Sequence, residues 1–201
     1  MDNAAFFNAC RNGVMGPTLD ADEVSGAEAI LKAMDGAPLA NCAYALATSW
    51  HETAHTMQPV KEYGGPSYFF RMYDPQGQRP ALAKANGNVH PGDGAKYFGR
   101  GYVQLTWRAN YRRAGQRLGL NLEAQPELAL DPTVAALILR RGMDEAWFTG
   151  KGFSDYMPAS GPANRGQFIK ARRIINGTDK SDLIAGYATA FQSALMAGGW
   201  Q

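Results

Sequence analysis

Ser49-Trp50-His51-Glu52-Thr53-Ala54-His55 closes an alanine-rich run that begins after Pro38, and it stands just ahead of a stretch dense in glycine and proline. At about 100° per residue, with Trp50 set as zero, Ala43, Leu46, Ala47, Ala54 and Met57 fall beside Trp50 in one apolar stripe. Thr48, His51, Glu52 and His55 gather on the flank and back. The pattern predicts a buried helix, opened by Pro38 and finished by Pro59, that turns a carboxylate and two imidazoles to one side. Two chemistries compete for it. His51-Glu52-x-x-His55 fits the H-E-x-x-H pattern of zinc peptidases, while a glycosidase would use Glu52 as its acid.

Working outward, helical periodicity dominates. Asn3 to Arg11 reads as a short amphipathic helix with Phe6, Phe7 and Cys10 inward. A second runs from near Asp20 to Met34, with Ser25-x-x-Glu28 as a capping box if it starts late. Thr106 is placed to cap a helix from Trp107 to Leu118 that Gly119 stops. Asp131-Pro132 opens another, to about Phe148. Gln167 to Ile175 and Asp182 to Met196, capped by Ser181, complete the set. Between Met57 and Gly101 the chain reads as one long irregular loop, with a brief helix at Pro80 to Ala85. Its many aromatics argue for an ordered cleft wall. The expected fold is all-α with minimal strand.

Composition narrows the function. A chain of 201 residues with 45% hydrophobic content supports a single domain, 1–201, either one globular body or two lobes around a cleft. The net charge of +2 gives no global drive toward nucleic acid, although Arg108–Arg113, Arg140-Arg141 and Lys170–Arg173 leave room for an anionic polymer. Cys10 and Cys42 sit among apolar residues and read as buried free thiols, with a single bridge the lesser reading. No apolar run approaches the ~20 residues needed to cross a bilayer, and Met1–Phe7 does not resemble a secretory signal. Synthesis in the cytosol is therefore expected, with any extracellular role needing another exit route.

The zinc reading needs a third ligand. The extended pattern would want Gly and His where the chain has Gln58 and Lys61. His90, Glu62 and Asp74 are the remaining candidates. No metal or cofactor is expected. Inverting glycosidic cleavage instead needs a protonated acid and an ionised base ~6.5–9.5 Å apart, with a water between. Glu52, beside Trp50 at the end of an apolar helix, suits the acid, because desolvation favours its neutral form. Glu62, in a more solvated setting, suits the base, and Asp74 is its rival. In Lys96–Trp107 the alternation turns Tyr102, Gln104 and Thr106 one way, with Asn110 one helical turn beyond Thr106 on the same face. Such a row of neutral hydrogen-bonding groups among aromatics holds sugar rings, and Thr106 supplies a hydroxyl for a water.

His51-Glu52-Thr53, then Tyr97-Phe98-Gly99-Arg100-Gly101-Tyr102-Val103-Gln104-Leu105-Thr106, Asn110-Tyr111 and Ile174-Ile175-Asn176-Gly177 together resemble glycoside hydrolase family 19, in order over roughly residues 40 to 180. The resemblance implies a two-lobed, lysozyme-like helical fold and single-displacement inversion. It makes Glu52 the acid and Thr106 the holder of the nucleophilic water. Gln104, Asn110 and Asn176 become substrate contacts, joined by His51, Tyr97 and Arg100. Thr56–Val60 and Pro91–Lys96 resemble the bacteriophage endolysin branch, which places the base nearer Glu62; plant chitinases place it nearer Asp74. The resulting expectation is a monomeric lysin cutting the β-1,4 bond between N-acetylmuramic acid and N-acetylglucosamine in peptidoglycan. It would reach the periplasm through a holin, without stable membrane insertion. A chitinase is the alternative. A zinc peptidase and a non-catalytic sugar-binding module are the more distant ones.

Overall fold

The computed structural model describes residues 1–200 and is mostly helical, as the sequence leads one to expect. Ten α-helices and one two-stranded antiparallel ribbon are formed among the described residues. The chain divides into two compact units, residues 1–58 with 139–201 and residues 59–138.

The first unit is built on helix α3, Leu39–Glu52, every residue of which from Leu39 to Trp50 is buried. It packs chiefly against α10, Ser181–Ala197, which also carries α9, Arg165–Ala171, and α1, Asn3–Arg11. Alanine along α3 permits this all-round burial, because small side chains let neighbouring backbones approach. Helix α2, Ala21–Ala33, begins one turn earlier than Ser25 requires. Its capping box joins Asp20 and Glu23, while the Ser25 hydroxyl donates to the Asp22 carbonyl.

Helix α3 stops at Glu52, earlier than its apolar stripe predicts. Ala54, His55 and Met57 have φ of 52°, 74° and 53°, left-handed values that L-residues adopt only at a cost. Two devices hold them there. The Thr53 hydroxyl donates to the Ser49 carbonyl at 2.7 Å and accepts from the Met57 amide at 3.1 Å. Gly26 of α2 admits the Met57 backbone so closely that a β-carbon there would lie 1.7 Å from the Met57 carbonyl oxygen. Cys10 and Cys42 are both buried and free, and burial pushes the Cys10 thiol up to about 12.

In the second unit, β1, Val60–Lys61, pairs with β2, Arg100–Gly101, in the register Val60↔Gly101 and Lys61↔Arg100. The expected long loop between them is largely helical: α4, Pro66–Tyr73, α5, Pro80–Ala85, and α6, Asp93–Lys96. Pro66 at the first position of α4, directly after the extended Gly65, is a start signal that the surrounding glycines mask. Helix α7, Arg108–Leu118, ends at left-handed Gly119 as predicted, but Trp107, at φ 77°, stands in the cap position instead of Thr106. Helix α8, Pro132–Asp144, begins on Asp131, whose carboxylate accepts the Val134 amide, and ends short of Phe148. No described helix is long and apolar enough to cross a membrane.

Candidate active site

In the first unit, α3 delivers His51 and Glu52 to its last turn. Glu52 Oε1 accepts a hydrogen bond from Arg172 Nη1 at 2.6 Å, with the arginine side chain 3% and the glutamate 22% exposed. Arg172 is fixed in turn by donation from Nε to the Asp179 carbonyl at 3.0 Å. Among the described residues of its own unit, no hydrogen bond is formed to Glu52 Oε2. Arg172 was not among the residues expected at the site. It lies 120 positions from Glu52, and a basic cluster at a helix end gives no sign of which arginine turns inward.

The early end of α3 removes the geometry that H-E-x-x-H requires, two histidines one turn apart on a helix. His55 lies beyond the helix with its ring stacked on Trp50 at 4.5 Å, and its Nε2 is 3.3 Å from the Tyr187 hydroxyl. His51 keeps its place beside Glu52. Burial lowers its affinity for a proton, partly offset by the Glu52 charge, so it is held toward the neutral form. Asn176 is exposed, and its Oδ1 accepts the Gly177 amide.

The second unit assembles Glu62, Gln104, Thr106 and Asn110. Glu62 accepts hydrogen bonds at both oxygens: Oε1 from the hydroxyls of Tyr73 at 2.6 Å and Tyr68 at 3.2 Å, Oε2 from the Gly99 amide at 3.0 Å. Residues 100–106 form a tight turn closed by pairing of Arg100 with Leu105. The expected alternation is therefore lost, and Tyr102 is buried while Gln104 and Thr106 are part-exposed. Gln104, at φ 52°, donates from Nε2 to the carbonyls of Val60 and Gly101. That leaves its Oε1 facing the site. The Thr106 hydroxyl gives its proton to the Gln104 carbonyl at 2.8 Å, and Asn110 Nδ2 donates to the Thr106 carbonyl.

Gly99 supplies the measure of how closely these groups converge. A β-carbon placed on it would lie 2.7 Å from Gln104 Oε1, 3.1 Å from Glu62 Oε2 and 3.3 Å from Thr106 Oγ1. Three hydrogen-bond acceptors thus line the open side of one glycine. A water there can give its protons to two of them, and its lone pair is then directed outward.

Three residues expected at the site are placed elsewhere. Asp74 is 1% exposed, and its carboxylate is taken up by the amides of Gln76, Gly92 and Gly94. It ties the end of α4 to α6 from inside, and at that burial it is closed to solvent. Arg100, 2% exposed, lies over the Phe98 ring at 3.8 Å. Its guanidinium donates to the carbonyls of Lys96 and Phe98, the Tyr111 hydroxyl and the Glu127 carboxylate. Tyr97 is buried, with its hydroxyl on the Glu123 carbonyl. Arg100 and Tyr97 therefore brace the turn from inside, where no sugar reaches.

Comparison with known proteins follows the same residues. The family model described as chitinase class I, glycoside hydrolase family 19, matches residues 35–148, more than half of the chain. The chain belongs to glycoside hydrolase family 19. Among relatives, the basic endochitinase CHB4 of Brassica napus is 37% identical over 130 residues, 64% of this chain and 39% of its own length. An endochitinase of Arabidopsis thaliana is 42% identical over 90 residues, 44% of this chain and 28% of its own. The chain therefore spans well under half the length of these family 19 relatives. The crystal structure of chitinase C from Streptomyces griseus superposes with a TM-score of 0.63 at 23% identity, covering 98% of this chain and 76% of that one. At that identity the likeness speaks for the family 19 fold alone.

Proposed function

We propose that the chain hydrolyses β-1,4 glycosidic bonds in polymers containing N-acetylglucosamine, by single displacement with inversion. Glu52 donates a proton to the leaving oxygen. Glu62 takes one from a water held with Thr106, and Gln104, Asn110, His51 and Asn176 bind the sugars. The observation that carries the reading is the convergence of Glu62 Oε2, Thr106 Oγ1 and Gln104 Oε1 in front of Gly99. A general base must hold its water with the attacking lone pair free, and three converging acceptors, to which the water gives its protons, do that. On the acid side, Arg172 engages only Oε1 of Glu52, so Oε2 is the oxygen left to carry the proton.

A chitin-type polymer is the first substrate reading, supported by the names of the plant and bacterial relatives. The expectation of a peptidoglycan lysin, with holin-dependent release and action in the periplasm, takes second place. Its support is the resemblance of Thr56–Val60 and Pro91–Lys96 to phage endolysins. The second of these segments forms α6 and anchors Asp74, a structural use that carries no substrate information. Mass spectrometry after incubation with N-acetylglucosamine hexamer and, separately, with purified peptidoglycan tests both readings. Shorter N-acetylglucosamine oligomers, released first as α-anomers by NMR, support the first. Fragments with new muramic acid reducing ends, and no attack on the hexamer, would replace it with the second. Activity on either substrate is expected to survive a strong chelator; loss that Zn²⁺ restores would revive the peptidase.

A further inference from the structure

The two tyrosines on Glu62 were part of no expectation, and the family mechanism sketched above has no role for them. Both come from α4. Tyr73 is half-buried, with its ring edge-on to Trp107 at 4.9 Å and to Tyr68 at 6.4 Å, and roughly parallel to Phe69 at 6.5 Å. Phe69 in turn stacks on Phe98 at 4.1 Å. These rings fix the direction of the Tyr73 hydroxyl. The helix end that carries it is held by Asp74, through the amides of Gly92 and Gly94, and by the closeness of Gly94, where a β-carbon would meet the Asp74 amide nitrogen at 2.7 Å. An aromatic box and a capped helix end thus deliver one phenol to one carboxylate oxygen at 2.6 Å.

We propose that Tyr73 is a positioning residue for Glu62, fixing the direction of its carboxylate so that one edge faces the water, with Tyr68 in a weaker supporting role. The inference rests on the reading of Glu62 as the base. A phenol that donates to a carboxylate makes a charge-assisted hydrogen bond, and such bonds are the strong and orienting ones. Burial, followed by its bond to Glu62, pushes the Tyr73 hydroxyl far above its ordinary value, so it stays protonated and remains the donor wherever the enzyme works. The other groups near this carboxylate are few. Tyr111 on α7 senses its charge, and Arg100 on β2 and Lys61 on β1 are both tied to Glu127.

The test measures kcat and KM separately for the full chain and for Y73F, Y68F and E62Q, on whichever of N-acetylglucosamine hexamer or peptidoglycan the wild-type chain hydrolyses. Y73F keeps the ring and its packing. Its kcat is expected to fall by about tenfold, the size of one charge-assisted hydrogen bond, with KM little changed and thermal unfolding close to wild type. Y68F, losing a contact at 3.2 Å, should lower kcat less. E62Q should be inactive. A Y73F whose kcat is unchanged, or whose loss lies in KM instead, with E62Q inactive, overturns the inference and leaves Glu62 as base. An active E62Q overturns both.

Discussion

The two carboxylates on which the proposed chemistry turns are held by opposite means. Glu52, in the first unit, is gripped at one oxygen by a buried cation, Arg172, and among the described residues of that unit its other oxygen takes no hydrogen bond. Glu62, in the second, is held among the described residues by neutral donors: two phenols on one oxygen and one amide on the other. An acid has to release and recover a proton, so a one-handed grip that fixes direction while leaving an oxygen available suits it. A base has to stay charged with its geometry constant, and a full set of neutral donors does that without competing for the water's protons. One fold thus gives the same side chain two different tasks through its partners.

The largest test of this contrast is to neutralise each carboxyl. E52Q and E62Q are each expected to lower kcat by about 10²–10⁴-fold while circular dichroism and thermal unfolding stay close to wild type. Retention of substantial activity by E52Q would remove the acid assignment. In the same assay D74N should keep most of its activity but lose about 1–2 kcal/mol of stability, because its carboxylate serves backbone amides. An inactive, fully folded D74N would transfer the role of base to it.

Next in size is G99A. The three atoms nearest the methyl would all be ends of flexible side chains, so urea unfolding should change little. Activity should fall about 10²-fold, the usual cost of an ångström of misplacement at a reacting centre. A variant as active as wild type would mean that the water is held elsewhere.

Replacing the cation is a smaller perturbation of rate and a larger one of stability. R172M removes the charge-assisted bond to Glu52 and the one to Asp179. Stability should drop by about 1.5–3 kcal/mol in urea titration, and R172K should recover part of it. If R172M unfolds no more easily than wild type, the grip on Glu52 contributes nothing and the contrast with Glu62 loses one side.

The smallest effect concerns His51. Its proton affinity is lowered in the folded protein, so the unfolded chain binds the proton more readily. Its contribution to stability is therefore full above its unfolded value of about 6.5 and declines as pH falls below it. H51Q should flatten the stability–pH curve in that range alone. An unchanged slope there would mean that His51 is solvated after all.

Much of this architecture is legible in the residues. Asp20, Asp131-Pro132 and Gly119 mark helix ends because capping is a local interaction, and the alanine run of α3 announces burial by its composition. Glu52, Glu62, Gln104, Thr106 and Asn110 stand out because polar groups among aromatics are poor core material. What escaped was decided at long range. Nothing in Ala54-His55-Thr56-Met57 requires a left-handed backbone; Gly26, more than twenty residues away, makes room for it. Arg100 and Tyr97 look like ligand contacts until Glu127 and Glu123 are seen to satisfy them from the far side of the turn. Tyr73 and Arg172, the holders of the two carboxylates, lack any spacing relation to what they hold.

The backbone just past Glu52 also has a practical meaning for anyone wishing to make this protein last longer. Ala54 is exposed yet carries a left-handed φ of 52°, a conformation that glycine adopts without steric cost. A54G should relieve about 1–2 kcal/mol of that strain against about 0.4–1 kcal/mol of added freedom in the unfolded chain, for a net gain between about zero and about 1.6 kcal/mol. The place where the helix breaks is thus a site for raising heat tolerance two residues from the proposed acid without altering any side chain that serves it.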